Sequence, residues 1–490
     1  MVTLLNRQYT HPRGGLTNAE MKSHSTQSKA AVILLHMIQD ELPMLSLPDS
    51  VDLIILARWI VPVVPTGQVL ENHAVIVHQS RIIGIVSQQR AASLQARERR
   101  ELPHHVLIPG LINAHGHAAM SLFRGLADDL PLMNWLNDHI WPAEGRWVSE
   151  DFVRIGTRLA VSEMLRGGTT CFADMYFYPE ISAQVAMDAG MRAQLAFPVI
   201  DNPIPGAQNS AEAISKGLRL HDESKHNELI SVAFGPHAPY TVGDETLIRV
   251  RTLADELELP VHMHVHETAF EVEEAIRQTG MRPLQRLREL GLLSPRLQAV
   301  HMTQIDDQDI QLLRDYGVQI IHCPESNMKL ASGFCPVQRL LDNNINVALG
   351  TDGAASNNDL DMFAELRTAA LLAKGVSGQP TALDAHSALR MATLAGAQAL
   401  GIAEQTGSLE PGKLADMVAV DLSALPLQPV YHPVSQLLYT CNASHVSDVW
   451  VAGRQKVRSG QLQLADQDGL LEAVNEWAQQ IQIGDEEHDA

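Results

Sequence analysis

Cysteine is scarce in this chain: four residues, Cys171, Cys323, Cys335 and Cys441, among 490. They lie far apart and match no C-x-x-C spacing, which excludes a cysteine-built metal module or a dithiol redox motif. So few in so long a chain imply buried free thiols in a reducing compartment, not a disulfide scaffold. Long hydrophobic runs are missing too. None approaches the roughly 20 apolar residues that cross a bilayer. The run from Ala30 to Met37 is short, contains His36, and has no small-residue cleavage site behind it, so it makes a poor signal peptide. Positive charge is in deficit, with 36 Lys and Arg against 57 Asp and Glu, a formal net charge of −21. That balance repels nucleic acid and anionic membranes and reads as a solubilising surface. Together these absences predict a cytoplasmic protein whose partner is a small molecule.

An apolar content of 45% is ample for a full core, and the length calls for one large domain plus a smaller one. Residues 1–47 are polar, lack a sustained period and are expected to be a disordered extension; Met44, just ahead of the first structured pattern, is a candidate natural start. From Val51 to Val86 short β-branched runs are broken by turns. A long alternation of helical patterns and short apolar runs follows, and from about Gly407 the texture returns to β. The fold class expected is α/β: a (β/α)8 barrel over 108–405, with a small β-sandwich assembled from 48–107 and 406–470. A helix and acidic tail, 471–490, close the chain.

The chemistry concentrates at strand ends. The run PGLINAHGH puts His115 and His117 one residue apart, after an apolar segment, Val106 to Ile112, that reads as one strand. Residues i and i+2 of a strand share a side, and imidazole is the commonest protein metal ligand. With 22 histidines in the chain, one H-x-H is weak evidence. Three later segments strengthen it: HMHVHETAF with Glu267, AVHMTQ with His301, and LGTDGAASNN with Asp352. A catalytic metal takes three or four protein ligands and one open position. HMHVHE offers His262, His264 and His266, and spacing does not choose among them. Asp352 reads either as a turn residue before glycine or as a ligand, and the histidines already placed favour the ligand. Glu267 could move protons beside an activated water, or simply favour a helix N-terminus. His301 could hydrogen-bond the attacking oxygen or be a satisfied buried histidine. Zn²⁺ suits such a site and Fe²⁺ fits nearly as well. No lysine follows a barrel strand where a bridging modified lysine would stand, so one metal ion is expected.

These residues give the chain a resemblance to the amidohydrolase superfamily from about 50 to 470. More closely it resembles the 5-methylthioadenosine/S-adenosylhomocysteine deaminases. The runs that carry the likeness are PGLINAHGHAAMSLFRGLADDLPLMNWL, GGTTCFADMYF, GPHAPYT, HVHE, PESNMKLASGFCPVQRLL and LGTDGAASNNDLDMFAELR. The resemblance implies a mononuclear barrel enzyme that replaces the exocyclic amine of a purine nucleoside with oxygen. By motif it selects His264, with His115, His117 and Asp352, as the metal ligands. It makes Glu267 the proton shuttle and has His301 orient the attacking oxygen. Glu144, which a bare reading leaves solvent-exposed, matches a carboxylate that binds the ribose hydroxyls. His237 matches a substrate-binding histidine, Ser356 a contact to a ring nitrogen, and Trp135 a pocket wall or a packing residue. A homo-oligomer is a family-level expectation. Some members carry an arginine shortly after the GMRA run, whereas GMRAQLAFPVI has Phe197 and Pro198 there. The preferred 5′ substituent, thioether, homocysteine or hydroxyl, is therefore open.

Two other readings share parts of this evidence. A deaminase or chlorohydrolase of another heterocycle (guanine, cytosine, a triazine) would keep the metal site and lose the need for Glu144. A non-catalytic barrel would be expected to lose ligands, and none of the expected ones is missing.

Overall fold

The computed structural model describes residue 48 and residues 50–489, with side chains through 483. The expected extension, with the candidate start at Met44, lies outside the described residues. Among the described residues no helix is long and apolar enough to cross a membrane. All four cysteines are buried free thiols.

The terminal segments meet in one eight-stranded sheet. Its strands are β1 (Ser50–Ile60), β2 (Leu70–His78), β3 (Arg81–Ser87) and β4 (Gln95–Pro109) from the first segment. The barrel strands come next in the chain: β5 (Leu111–Asn113), β6 (Thr169–Asp174), β7 (Arg192–Val199), β8 (Ile230–Pro236), β9 (Val261–Val265), β10 (Leu297–His301), β11 (Gln319–His322) and β12 (Val347–Leu349). The second segment adds β13 (Met417–Asp421), β14 (Val446–Val451), β15 (Arg454–Arg458) and β16 (Gln461–Leu462). The terminal sheet runs β16-β15-β14-β13-β4-β1-β2-β3, and β13 pairs antiparallel with β4, joining the two ends of the chain. Both halves share one buried cluster, in which Ile55 and Val75 meet Met417, Ala419 and Trp450.

Strands β5 to β12 follow one another in chain order around the second sheet, in parallel pairs. Most of them are buried along their whole length, as expected of parallel strands covered on both faces. The ring is closed by Ala114 N–H donating to Leu349 O (2.9 Å) and Asp352 N–H donating to His115 O (3.1 Å). Helices such as Glu150–Arg166 and Asp244–Leu257 alternate with the strands. The first is N-capped by Ser149, whose side chain accepts from Phe152 N–H.

The apolar run Val106 to Ile112 is not one strand, which corrects the sequence expectation. It belongs to β4 as far as Pro109 and to β5 from Leu111. Gly110 hands the chain over: its N–H donates to Asp416 O beside the terminal sheet, and the next N–H, Leu111, donates to Gly168 O at the start of β6. A Cβ at Gly110 would stand 1.9 Å from Thr170 Oγ1, so no larger residue fits this junction. Hydrophobicity alone hides the break, because both sheets bury the run.

After β5 a short 3₁₀ segment, Ala118–Phe123, leads to a cap over the barrel mouth, residues 132–147, containing a π-helical turn at Trp135–Ile140. The final helix, Gln467–Asp489, packs near the cap: Trp477 meets Phe152 edge-on at 5.4 Å, and Ile481 is buried in the same cluster as Trp135, Leu136 and Ile140.

Candidate active site

His115 and His117 leave the end of β5, His264 lies on β9, and Asp352 follows β12. Their ligand atoms gather around His115. His115 Nε2 is 3.3 Å from His264 Nε2 and 3.3 Å from Asp352 Oδ1, and His117 Nε2 is 3.2 Å from the same Oδ1. These three separations are close to the about 3.4 Å expected between tetrahedral ligands about 2.1 Å from a Zn²⁺ ion. The donor atoms form two groups that share His115, one with His117 and Asp352 and one with His264 and His301. Gly350 makes this convergence possible, since a Cβ there would lie 2.8 Å from His115 N. Asp352 itself adopts φ +61, and its carboxylate is turned into the barrel mouth.

Each imidazole has its tautomer set by a partner on the far nitrogen. His117 Nδ1–H donates to Met175 O (2.7 Å) and His264 Nδ1–H to His237 O (2.7 Å). His115 depends on a chain of side chains inside the barrel. Gln298 spends both amide hydrogens, on Gln194 Oε1 and Ala399 O (each 2.8 Å), so its Oε1 faces His262 as an acceptor. His262 Nδ1–H donates to that oxygen (2.7 Å), which leaves its Nε2 to accept from His115 Nδ1–H (2.7 Å). Each Nε2 is thereby turned toward the shared space, an orienting role typical of groups behind metal ligands. Asp352 Oδ2 is held by the hydroxyls of Ser326 (2.6 Å) and Ser356 (2.8 Å).

Electrostatics divide the three imidazoles. Burial opposes protonation of His117, but its bond to Asp352 outweighs it and raises the pKa to about 9, so a cation bound there would displace that proton. Burial holds the His115 and His264 imidazoles well below their usual pKa, hence neutral. Burial opposes ionisation of Asp352, but its bonds to His115 and His117 prevail and hold it well below the usual carboxylate range.

The other expected residues surround this cluster. Glu267 is buried; desolvation first, then the charges of Asp352 and Glu271, push its carboxyl well above the usual range and favour its protonated form. His301, the last residue of β10, has φ +74 and accepts at Nδ1 from Asn327 Nδ2 (2.9 Å). Its Nε2 therefore bears the proton, 3.7 Å from Glu267 Oε2. Although it lies within 4.8 Å of His115 and His264, it offers a donor there, not a lone pair. Of the three histidines in HMHVHE, His262 supports His115. His266 leaves the strand with φ +54, faces Gln304 O through Nδ1 (3.1 Å) and accepts from Leu284 N–H (3.1 Å).

Glu144 corrects the bare sequence reading: it is only 8% exposed. Burial raises its pKa to about 7 against the opposing pull of the Tyr176 hydroxyl and the His117 charge. It lies with His237, Trp135, Ser356 and the metal-ligand cluster in one cavity of about 380 Å³, of a size suited to a small molecule. Trp135 is both wall and packing residue, its indole N–H donating to Ala127 O (3.1 Å). His237 hydrogen-bonds Thr241 Oγ1 through Nδ1 (3.1 Å). Sequence reasoning did not reach the Gln298–His262 support or the roles of Ser326 and Asn327. The last two stand in the PESNMK run, whose Ser-Asn pair after a strand was the available signal.

With this geometry in hand, the comparisons decide the family. The amidohydrolase family model matches residues 106–456. The chain belongs to the amidohydrolase family. It is 53% identical over 432 residues to the 5-methylthioadenosine/S-adenosylhomocysteine deaminase of Saccharophagus degradans, covering 88% of this chain and 97% of that one. It is 44% identical to a 5′-deoxyadenosine deaminase of Methanothermobacter thermautotrophicus, over 77% of this chain and 87% of the relative. Its structure superposes on a zinc-bound adenosine deaminase of Xanthomonas campestris with a TM-score of 0.88 at 49% identity, covering 89% of this chain and 100% of that one. The family is one of metal-dependent hydrolases, and the Xanthomonas campestris relative holds zinc.

Proposed function

We propose that the protein hydrolytically deaminates a 6-aminopurine nucleoside of the methylthioadenosine, S-adenosylhomocysteine and adenosine group, releasing ammonia. One observation carries this reading: a single cavity is lined by His117, His264 and Asp352 of the four-residue cluster, by Glu267 and by the buried carboxyl of Glu144. A buried carboxylate needs hydrogen-bond donors, and a ribose diol supplies two. Guanine, cytosine and chlorotriazines supply no diol. The deaminase names of the relatives point the same way.

His115, His117, His264 and Asp352 would hold one Zn²⁺ ion. A divalent metal bound there supplies Lewis acidity and brings water to reactivity near neutral pH. The protein's own groups do the rest. Glu267 donates its proton to the ring nitrogen beside the amine-bearing carbon, and His301 donates a hydrogen bond from Nε2 to the incoming oxygen. Asp352, acceptor-only and steadied by Ser326 and Ser356, takes the proton that the attacking water gives up. Glu267, now a carboxylate, takes the proton of the hydroxyl left on the attacked carbon and passes it to the amine. The amine departs as ammonia as the carbonyl forms, and the proton held by Asp352 returns to Glu267. Glu144 and His237 hold the nucleoside.

The test is a panel of adenosine, methylthioadenosine, S-adenosylhomocysteine, guanine and a chlorotriazine on zinc-replete enzyme, read by ammonia release. Turnover is expected on nucleosides. Activity confined to guanine or the triazine would overturn the reading.

A further inference from the structure

The cavity has an unusual charge balance. No lysine or arginine occurs among the described residues that line it, whereas the carboxylates of Glu144, Glu267 and Asp352 do. If the amine end lies at the metal ligands and the diol at Glu144, the wall left to face the 5′ carbon is mainly apolar. It comprises Trp141, Phe177 and the loop 198–205, which turns Pro198, Ile200 and Ile204 to the cavity and adds Asn202.

This loop is a built wall. Ile204 and Ala207 exchange backbone hydrogen bonds (2.9 and 3.0 Å). Asp201 is tied down by Gly243 N–H and the Thr246 hydroxyl, both at 2.7 Å. Lys216, which reaches the Gly206 carbonyl at the end of the loop, is paired with Glu212 at 2.8 Å and does not line the cavity. A carboxylate carried on the 5′ substituent would thus enter a largely apolar space with no lysine or arginine among the described lining residues to pair with it, which is costly. A thioether alkyl group keeps apolar contacts there and loses nothing.

We propose that this cavity selects nucleosides with an uncharged, apolar 5′ substituent and discriminates against those bearing a zwitterionic amino acid. The proposal rests on the nucleoside deaminase reading above. Three substrates test it on the zinc-loaded full-length enzyme: methylthioadenosine, S-adenosylhomocysteine and 5′-butylthio-5′-deoxyadenosine, which matches the homocysteine chain in length without its charges. The first and third should show kcat/KM within about tenfold of each other, and S-adenosylhomocysteine should fall at least about a hundredfold below both, as an unpaired buried charge requires. Comparable kcat/KM for methylthioadenosine and S-adenosylhomocysteine overturns the selection while leaving the deaminase reading intact. An equal loss on the butylthio compound also overturns it, because length, not charge, would then set the limit. No ammonia from any of the three overturns the deaminase reading and the selection with it.

Discussion

Glu267 shows how one residue's environment sets its chemistry. Its burial and the two neighbouring carboxylates favour the protonated form of a side chain that would be ionised in water. Glu267→Gln preserves the shape and removes the transferable proton. Turnover should fall at least about a hundredfold, the scale of general acid–base loss, with zinc content unchanged; near-normal turnover would contradict the shuttle. Gln298 touches no ligand directly, yet it fixes His262 and through it the tautomer of His115. Gln298→Leu should weaken zinc binding about ten- to a hundredfold in a chelator competition. Unaltered affinity in a normally folded variant would remove the support role. Glu144 yields a pH signature. Its pKa, raised to about 7 by burial, means the diol-accepting carboxylate is lost as pH falls through that value. The ratio of kcat/KM for a nucleoside to that for its 2′,3′-dideoxy analogue should therefore decline below about pH 7, approaching tenfold per unit. A flat ratio would argue against Glu144 as the diol acceptor.

At the scale of elements, the cap and the final helix work together. Residues Trp135, Leu136 and Ile140 line the cavity on one side and share a buried cluster with Phe123, Phe152 and Ile481 on the other. Trp477 completes the stack against Phe152. A π-helical turn has poorer backbone geometry than an α-helix and persists where packing holds it. Trp477→Ala should accordingly loosen the wall and raise nucleoside KM by about tenfold, the cost of a modest misplacement, with metal content and kcat much less affected. Equal KM values in variant and parent would show that the final helix does not position the wall.

For the whole molecule, the proposed cation site draws on residues after β5, on β9 and after β12, separated by more than two hundred positions, so a metal bound there would be linked to the fold. A cation at about a thousand times its Kd contributes about 4 kcal/mol to the folded state. Chelation should lower Tm, and zinc should restore both Tm and activity together. A Tm indifferent to chelator, with activity retained, would exclude a resident metal at this site. The terminal sheet adds a second long-range tie, since β13 pairs with β4 across more than three hundred positions.

Local features were open to reading from residues alone: alternation of strand and helix, two histidines at strand spacing, and an aspartate and a glutamate just past apolar runs. They depend only on neighbours in the chain, and the barrel and its functional edge follow from them. The break at Gly110 depends instead on Thr170 and Asp416, distant in sequence and adjacent in space. The difference between His264 and its neighbours His262 and His266 depends on which imidazole meets His115 at Nε2, with His262 lying at its Nδ1. The burial of Glu144 depends on a cap folded back over the mouth. The amino-acid order determined which chemical groups stand at which strand ends. Tertiary packing alone decided which of them share a point, because convergence, desolvation and tautomer are properties of contacts between segments.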